Sequence, residues 1–131
     1  LKEPSSRELA CVIARIMDDK KAKEIDILNI ANISIVSDYF VICSATSNVQ
    51  VRTLSGNISG ILKKLYNRLP QKEETDSKNR WHLLDYGDVV VHIMHEEERQ
   101  YYALEKFWSH ACKISTEEWM EETKDINPGE I

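Results

Sequence analysis

Two carboxylates three residues apart, Asp85 and Asp88, flank Tyr86-Gly87 in the stretch WHLLDYGDVVVHIM, and His92 and His95 follow closely. Paired carboxylates can hold a divalent cation or act as a general acid and base, and paired histidines can ligate a transition metal. The spacing works against both chemistries. Residues i and i+3 of an extended strand project to opposite faces, so only a turn could bring the two aspartates together, and His92 and His95 diverge along their strand. Asp beside Gly is a common hairpin composition, because the short carboxylate bonds nearby backbone N–H groups. The expectation is a turn shaped by two carboxylates that present charge to a partner, with His92 buried and hydrogen-bonded and no metal bound. With four glycines in the chain, no phosphate-cradling loop is legible, and neither is a G-x-S-x-G or Cys-His arrangement. His110 near Cys112 carries little weight. No cofactor is expected.

The elements that must position these residues can be read from periodicity. Ser5-Ser6-Arg7-Glu8 has the form of a capping box and predicts a helix over about residues 6–20. Leu9, Val12, Ile13, Ile16 and Met17 form its buried stripe, with Arg7, Arg15 and Asp18 facing out. Ile25, Ile27 and residues 28–30 suggest a strand. Tyr39-Phe40-Val41-Ile42-Cys43 is apolar on both faces, as an inner strand covered on both sides would be. Ser47 with Gln50 opens a long helix whose stripe is Val51, Leu54, Ile58, Ile61, Leu62 and Leu65, ending near Pro70. Gly56 and Gly60 lie four apart within it and read as tolerated glycines.

The polar stretch 71–79 reads as a solvated connection. Trp81 to Asp85 and Asp88 to Met94 then form two strands paired antiparallel, with Gly87 supplying the positive φ of a tight turn. Glu96, Glu97 and Glu98 open a helix in the sense its dipole favours, with Tyr101, Leu104 and Trp108 as its stripe. Ser115 to Glu118 caps one more short helix. The order implies an α/β fold, a single domain spanning 1–131 built on a mixed β-sheet with flanking helices.

Asp and Glu outnumber Lys and Arg by 22 to 17 in these 131 residues, a formal charge of −5, which disfavours broad contact with nucleic acid. A basic protein partner suits such a surface better. Hydrophobic residues make up 42% without a long apolar run, so no membrane association is expected. Three cysteines with no C-x-x-C spacing argue against a disulfide framework and for a reducing compartment. The chain opens on Leu1 rather than Met, so a targeting segment removed earlier would leave no trace. Around the hairpin, Trp81 and Tyr86 with an acidic rim have the composition of an interface centre, and equally that of a strand whose aromatics are core.

The stretches SDYFVICSATSNVQVRTL and RWHLLDYGDVVVHIMHEEERQYYALEKFW, with their separation, resemble the ribosomal silencing factor family, also called the Iojap family, over about residues 6–110. The tail after Trp108, with SHACKISTEEW and running through residues 111–131, looks closest to cyanobacterial or plastid members. The resemblance implies a nucleotidyltransferase-like fold without catalytic residues, and this chain has neither that superfamily's Gly-Ser helix-start motif nor its D-x-D strand pair. It implies a non-enzyme that binds ribosomal protein fourteen of the large subunit, keeps the small subunit from joining, and lowers translation when nutrients are scarce. A homodimer is expected when free, in the cytoplasm, or in the chloroplast stroma or mitochondrial matrix for a processed organellar precursor. No direct sequence-specific contact with nucleic acid is implied.

Carried over by position, the partner-binding residues are Trp81, Asp85, Tyr86, Asp88 and His92 in the hairpin, Asp38 and Tyr39 at the neighbouring strand start, and Arg99 at the helix start. One departure is that residues 73–80 contain no glycine, where family members commonly have one. Two rival classes make different demands: a nucleotidyltransferase would need metal-dependent nucleotide binding, and an RNA-binding regulator would need a local basic face, for which Lys63, Lys64 and Arg68 are the compact cluster.

Overall fold

The structure, a computed structural model, describes residues 3–131. The order is α1 (Ser6–Asp19), β1 (Lys23–Asn29), β2 (Tyr39–Ala45), α2 (Asn48–Tyr66), β3 (Lys72–Thr75), β4 (Trp81–Asp85), β5 (Val89–His95), α3 (Glu96–Tyr102), α4 (Leu104–Phe107), β6 (Cys112–Ile114) and α5 (Thr116–Glu122), then a 3-10 turn over Pro128–Glu130. The described residues form a six-stranded sheet in the order β3-β4-β5-β2-β1-β6. β2 runs parallel to β5, and every other neighbour is antiparallel. The sheet is therefore mixed, as read from the sequence.

Strand alternation divides the sheet into two unlike faces. Val41, Cys43 and Ala45 of β2, Val89, Val91 and Ile93 of β5, and Leu84 of β4 point to one side and bury the stripes of α1 and α2. Leu28, Ile30, Ile42 and Met94 point to the other, where Phe40, Trp81, Leu104, Trp108 and Ala111 pack on them. Residues of the α3–α4 segment and those just after it thus cover part of the second face.

Local chemistry sets the helix ends. Ser5 Oγ accepts the Glu8 N–H at 3.1 Å, and Ser47 Oγ accepts the Gln50 N–H at 3.0 Å. α2 stops at Asn67, which takes a left-handed φ of 55° while the Arg68 N–H reaches back to the Leu62 carbonyl. Gly56 and Gly60 are exposed, with open space where a Cβ would stand, so neither serves a close approach within this chain.

The structure adds to and departs from the sequence reading in several places. The polar stretch after Pro70 contains β3, a strand whose residues are all exposed, held by its ladder to β4 rather than by any apolar side chain. Residues 73–80 contain no glycine, and the positive φ in that connection is taken by Asn79, at +55°, a conformation Asn tolerates better than most side chains do.

The helix after β5 is broken at Ala103, left-handed at φ +47°. Tyr101 therefore points away from the core at 81% exposure, while Leu104 and Trp108 reach the second face. The Arg99 to Glu105 hydrogen bond of 2.6 Å spans the break, where a left-handed alanine costs ~1–2 kcal/mol.

Finally, Arg7 and Arg15, on the outer side of α1, bond to α5 and its C-terminal end. Arg7 pairs with Glu122 at 2.6 Å, and Arg15 donates to Thr123 Oγ1 and the Met120 carbonyl. Trp119 of α5 is 1% exposed and belongs to the main core, and β6 pairs with β1. Residues beyond 110 are thus built into the sheet and the core.

Candidate functional site

The two carboxylates of the hairpin do not converge. Asp85 Oδ1 accepts the Gly87 N–H at 2.8 Å, the local turn bond its position favours, and Gly87 has a φ of +92°. Asp88 turns toward the helices, accepting from Arg68 Nη2 at 3.0 Å and from Ser6 Oγ at 2.9 Å. The carboxylate that meets Asp88 is Asp38, since Ser6 Oγ also lies 3.1 Å from Asp38 Oδ2. The backbone ties the same corner, because the Asp38 and Tyr39 N–H groups both donate to the Asp88 carbonyl. This network fixes the start of β2 against the start of β5.

Tyr86 is 1% exposed, not a surface aromatic at the turn tip. Its ring lies under the Arg68 guanidinium, 5.9 Å from centroid to Cζ, and Arg68 also donates to its carbonyl. Burial, and then the nearby Glu73 charge, push the phenol pKa up. Arg68 therefore spends its charge on this corner, leaving Lys63 and Lys64 as the exposed cations of the basic cluster.

Arg99 is also buried, at 7% exposure, and lies at the far end of the sheet from the hairpin turn. It donates to Asp26 Oδ2 at 2.7 Å, Glu105 Oε1 at 2.6 Å, Ser44 Oγ at 3.2 Å and the Glu24 carbonyl. It joins β1, β2 and α4 and presents no guanidinium to a partner. Tyr39, at 9% exposure, packs on the helix side.

What remains on the open face is a sheet surface built by period-2 alternation of β4 and its neighbours. Trp81, Leu83 and Asp85 are half-buried and stand opposite Met94, His92 and Val90 of β5. Trp81 Nε1 donates to His92 Nδ1 at 3.2 Å. His92 is 5% exposed, and burial lowers its pKa to about 4. An aromatic series crosses the face: Tyr101 to Tyr102 at 5.0 Å, Tyr102 to Trp81 at 5.0 Å, Trp81 to His92 at 5.9 Å, His92 to Phe40 at 4.8 Å, and Phe40 to Trp108 at 5.4 Å.

Beside Trp81 and Leu83 runs an open groove of about 820 Å³ whose other wall is Glu73 to Asp76. Leu83, Phe40, Tyr102, Glu74 and Asp76 were absent from the residues picked out by sequence. The i, i+2 spacing from Trp81 would have found Leu83; the acidic wall belongs to a strand with no apolar signal.

This arrangement has the parts of a protein-docking surface: aromatic anchors partly desolvated, with acidic side chains at the rim. Among the described residues no group of three His, Cys, Asp or Glu side chains is placed to hold a metal ion. Burial pushes the Cys11 and Cys43 thiols up, to about 11 and about 12, so both are protonated at neutral pH. No helix among the described residues is long and apolar enough to cross a membrane.

The family model described as ribosomal silencing factor during starvation matches residues 3–130. A ribosomal silencing factor from Halalkalibacterium halodurans is 36% identical over 113 residues, which is 86% of this chain and 96% of that protein. One from Bacillus subtilis is 38% identical over 107 residues, 82% of this chain and 90% of the relative. A crystal structure of a protein from Chromobacterium violaceum has a TM-score of 0.76 at 27% identity, covering 81% of this chain and 88% of that one.

Proposed function

The chain belongs to the ribosomal silencing factor family, and from that premise we propose that it binds ribosomal protein fourteen of the large subunit and blocks joining of the small subunit, repressing translation. The observation that carries the docking site is the half-buried Trp81 and Leu83 beside an acidic wall on the uncovered part of the sheet. Trp81 and Asp85 make the contact, His92 sets the indole from beneath, and Asp38, Tyr39, Tyr86 and Asp88 hold the hairpin rigid behind them. Arg99 acts from the other end by fixing the α3–α4 segment that carries Tyr102.

An acidic protein approaching a ribosome is repelled by phosphate and attracted to exposed Lys and Arg, which gives the acidic rim its use. When free, the protein pairs with a second copy through the exposed aromatics Tyr101, Tyr102 and Phe107. It works where ribosomes are, in the cytoplasm or an organelle, without membrane or sequence-specific nucleic-acid contact.

Sedimentation with separated subunits tests this reading. The protein is expected to pellet with large and not small subunits and to suppress their association at stoichiometric amounts. Trp81→Ala should weaken binding by about 2 kcal/mol, roughly thirtyfold, because truncating an anchor removes its contacts and admits water. Subunit joining that proceeds unchanged under saturating protein would refute it.

A further inference from the structure

We propose that β3 is the landing edge for a strand: a basic, extended segment of the protein partner pairs along the outer side of Lys72–Thr75 and sets alternate side chains into the groove over Trp81 and Leu83. This deepens the docking reading above and rests on it. β3 ends the sheet, with β4 on one side and no strand on the other, and its residues are all exposed. The ladder register fixes which backbone groups are free. The Asp76 N–H donates to the Trp81 carbonyl, and because alternate residues of an antiparallel strand bond in opposite directions, Glu73 and Thr75 turn their N–H and C=O groups outward.

Side chains point to the same conclusion. Lys72 and Glu74 pair across 3.1 Å on the open face, and the Asp76 carboxylate is held beside the groove by the Arg80 and Trp81 N–H groups at 2.6 and 3.3 Å. An added strand would place every second residue over this face, with Glu74, Asp76 and Asp85 ready for Lys or Arg and the Trp81–Leu83 floor ready for an apolar residue.

The occupant is a basic partner rather than a second copy of β3. Two copies paired antiparallel with outward Glu73 against outward Thr75 would bring Glu74 directly against Glu74, and like charges directly opposite are destabilising. The opposite sheet edge is a poorer platform: β6 is Cys112–Ile114, only three residues long.

Amide hydrogen exchange on the full chain, free and bound to large subunits, tests the proposal. The Glu73 and Thr75 amides are expected to exchange fast in the free protein and to slow on binding. Thr75→Pro removes one outward donor while sparing the β4 ladder, and should weaken large-subunit binding about tenfold with an unchanged melt. If the wild type binds large subunits while both amides keep their free rates, the strand pairing is wrong and the docking reading stands. If the wild type does not pellet with large subunits, both fall. Protection that rises with concentration of the free protein alone assigns the edge to a second copy and overturns the basic occupant. Should Thr75→Pro misfold, the wild-type exchange result decides.

Discussion

Trp81 and His92 are diagonal neighbours on adjacent strands, and the indole Nε1–H donates to His92 Nδ1 at 3.2 Å, so that nitrogen must offer a lone pair and cannot carry a proton of its own. The bond requires neutral His92 protonated on Nε2, and burial enforces the same state by lowering the pKa to about 4. A histidine buried beside the open face of the sheet is thereby kept uncharged next to an indole.

This pair predicts a pH dependence. His92 binds its proton less tightly when folded, at about 4, than when unfolded, near 6.5. Its stabilisation is therefore complete above pH 6.5 and is lost as pH falls toward 4, by roughly 3 kcal/mol in the limit. Denaturation of the wild type and of His92→Phe between pH 7 and 4 should show that slope in the wild type and a shallower one in the variant. Glu118 and Glu122, whose carboxyls are held below their ordinary range, act at lower pH in both proteins.

Arg99 is expected to be a stability residue. Removing it in Arg99→Ala leaves Glu105 without this partner and Asp26 with Lys113 at 3.7 Å, and should cost about 2–3 kcal/mol in urea unfolding. Arg99→Lys should recover part of that loss, because a single ammonium cannot serve Asp26, Glu105 and the Glu24 carbonyl together. A variant as stable as the wild type would remove Arg99 from this role.

Asp85 carries two roles that one substitution can separate. Asp85→Asn keeps an acceptor for the Gly87 N–H and removes the charge, so it should slow association with large subunits and flatten its salt dependence while leaving the melt unchanged. Asp85→Lys removes both, and its melt should drop by the ~1 kcal/mol of a lost hydrogen bond. Equal association rates for Asp85→Asn and wild type would exclude a rim charge at this position.

Gly87→Ala tests the turn itself. A Cβ there would stand 2.8 Å from the Gln71 amide nitrogen, a flexible side-chain end that can move aside, but the left-handed φ of +92° remains. The expected loss is about 1 kcal/mol, read from thermal melting. A neutral result would mean that the turn relaxes to another form.

Much of the fold was legible because its signals are local. Ser5 and Ser47 mark helix starts, the stripes of α1 and α2 have a helical period, and β2 is apolar on both faces as a covered inner strand must be. The tightness of the Tyr86-Gly87 turn was equally plain. β3 was invisible because K-E-E-T has neither apolar alternation nor strand propensity; only its ladder to β4 makes it a strand. Ala103 was invisible because nothing in an alanine announces a left-handed turn, and the Arg99–Glu105 bond that spans it is a tertiary feature.

The sequence by itself determined the hairpin, the mixed α/β order, the family and a net charge that favours a basic partner. Tertiary structure decided which carboxylates meet, Asp38 with Asp88 at Ser6 rather than Asp85 with Asp88, and which aromatic reaches the open face, Trp81 rather than Tyr86. Periodicity assigns a side chain to a face of its own element, but burial depends on what packs over that face. Arg68 and α2 cover Tyr86, while the α3–α4 segment stops short of Leu83, and those contacts come from chain segments far apart in sequence.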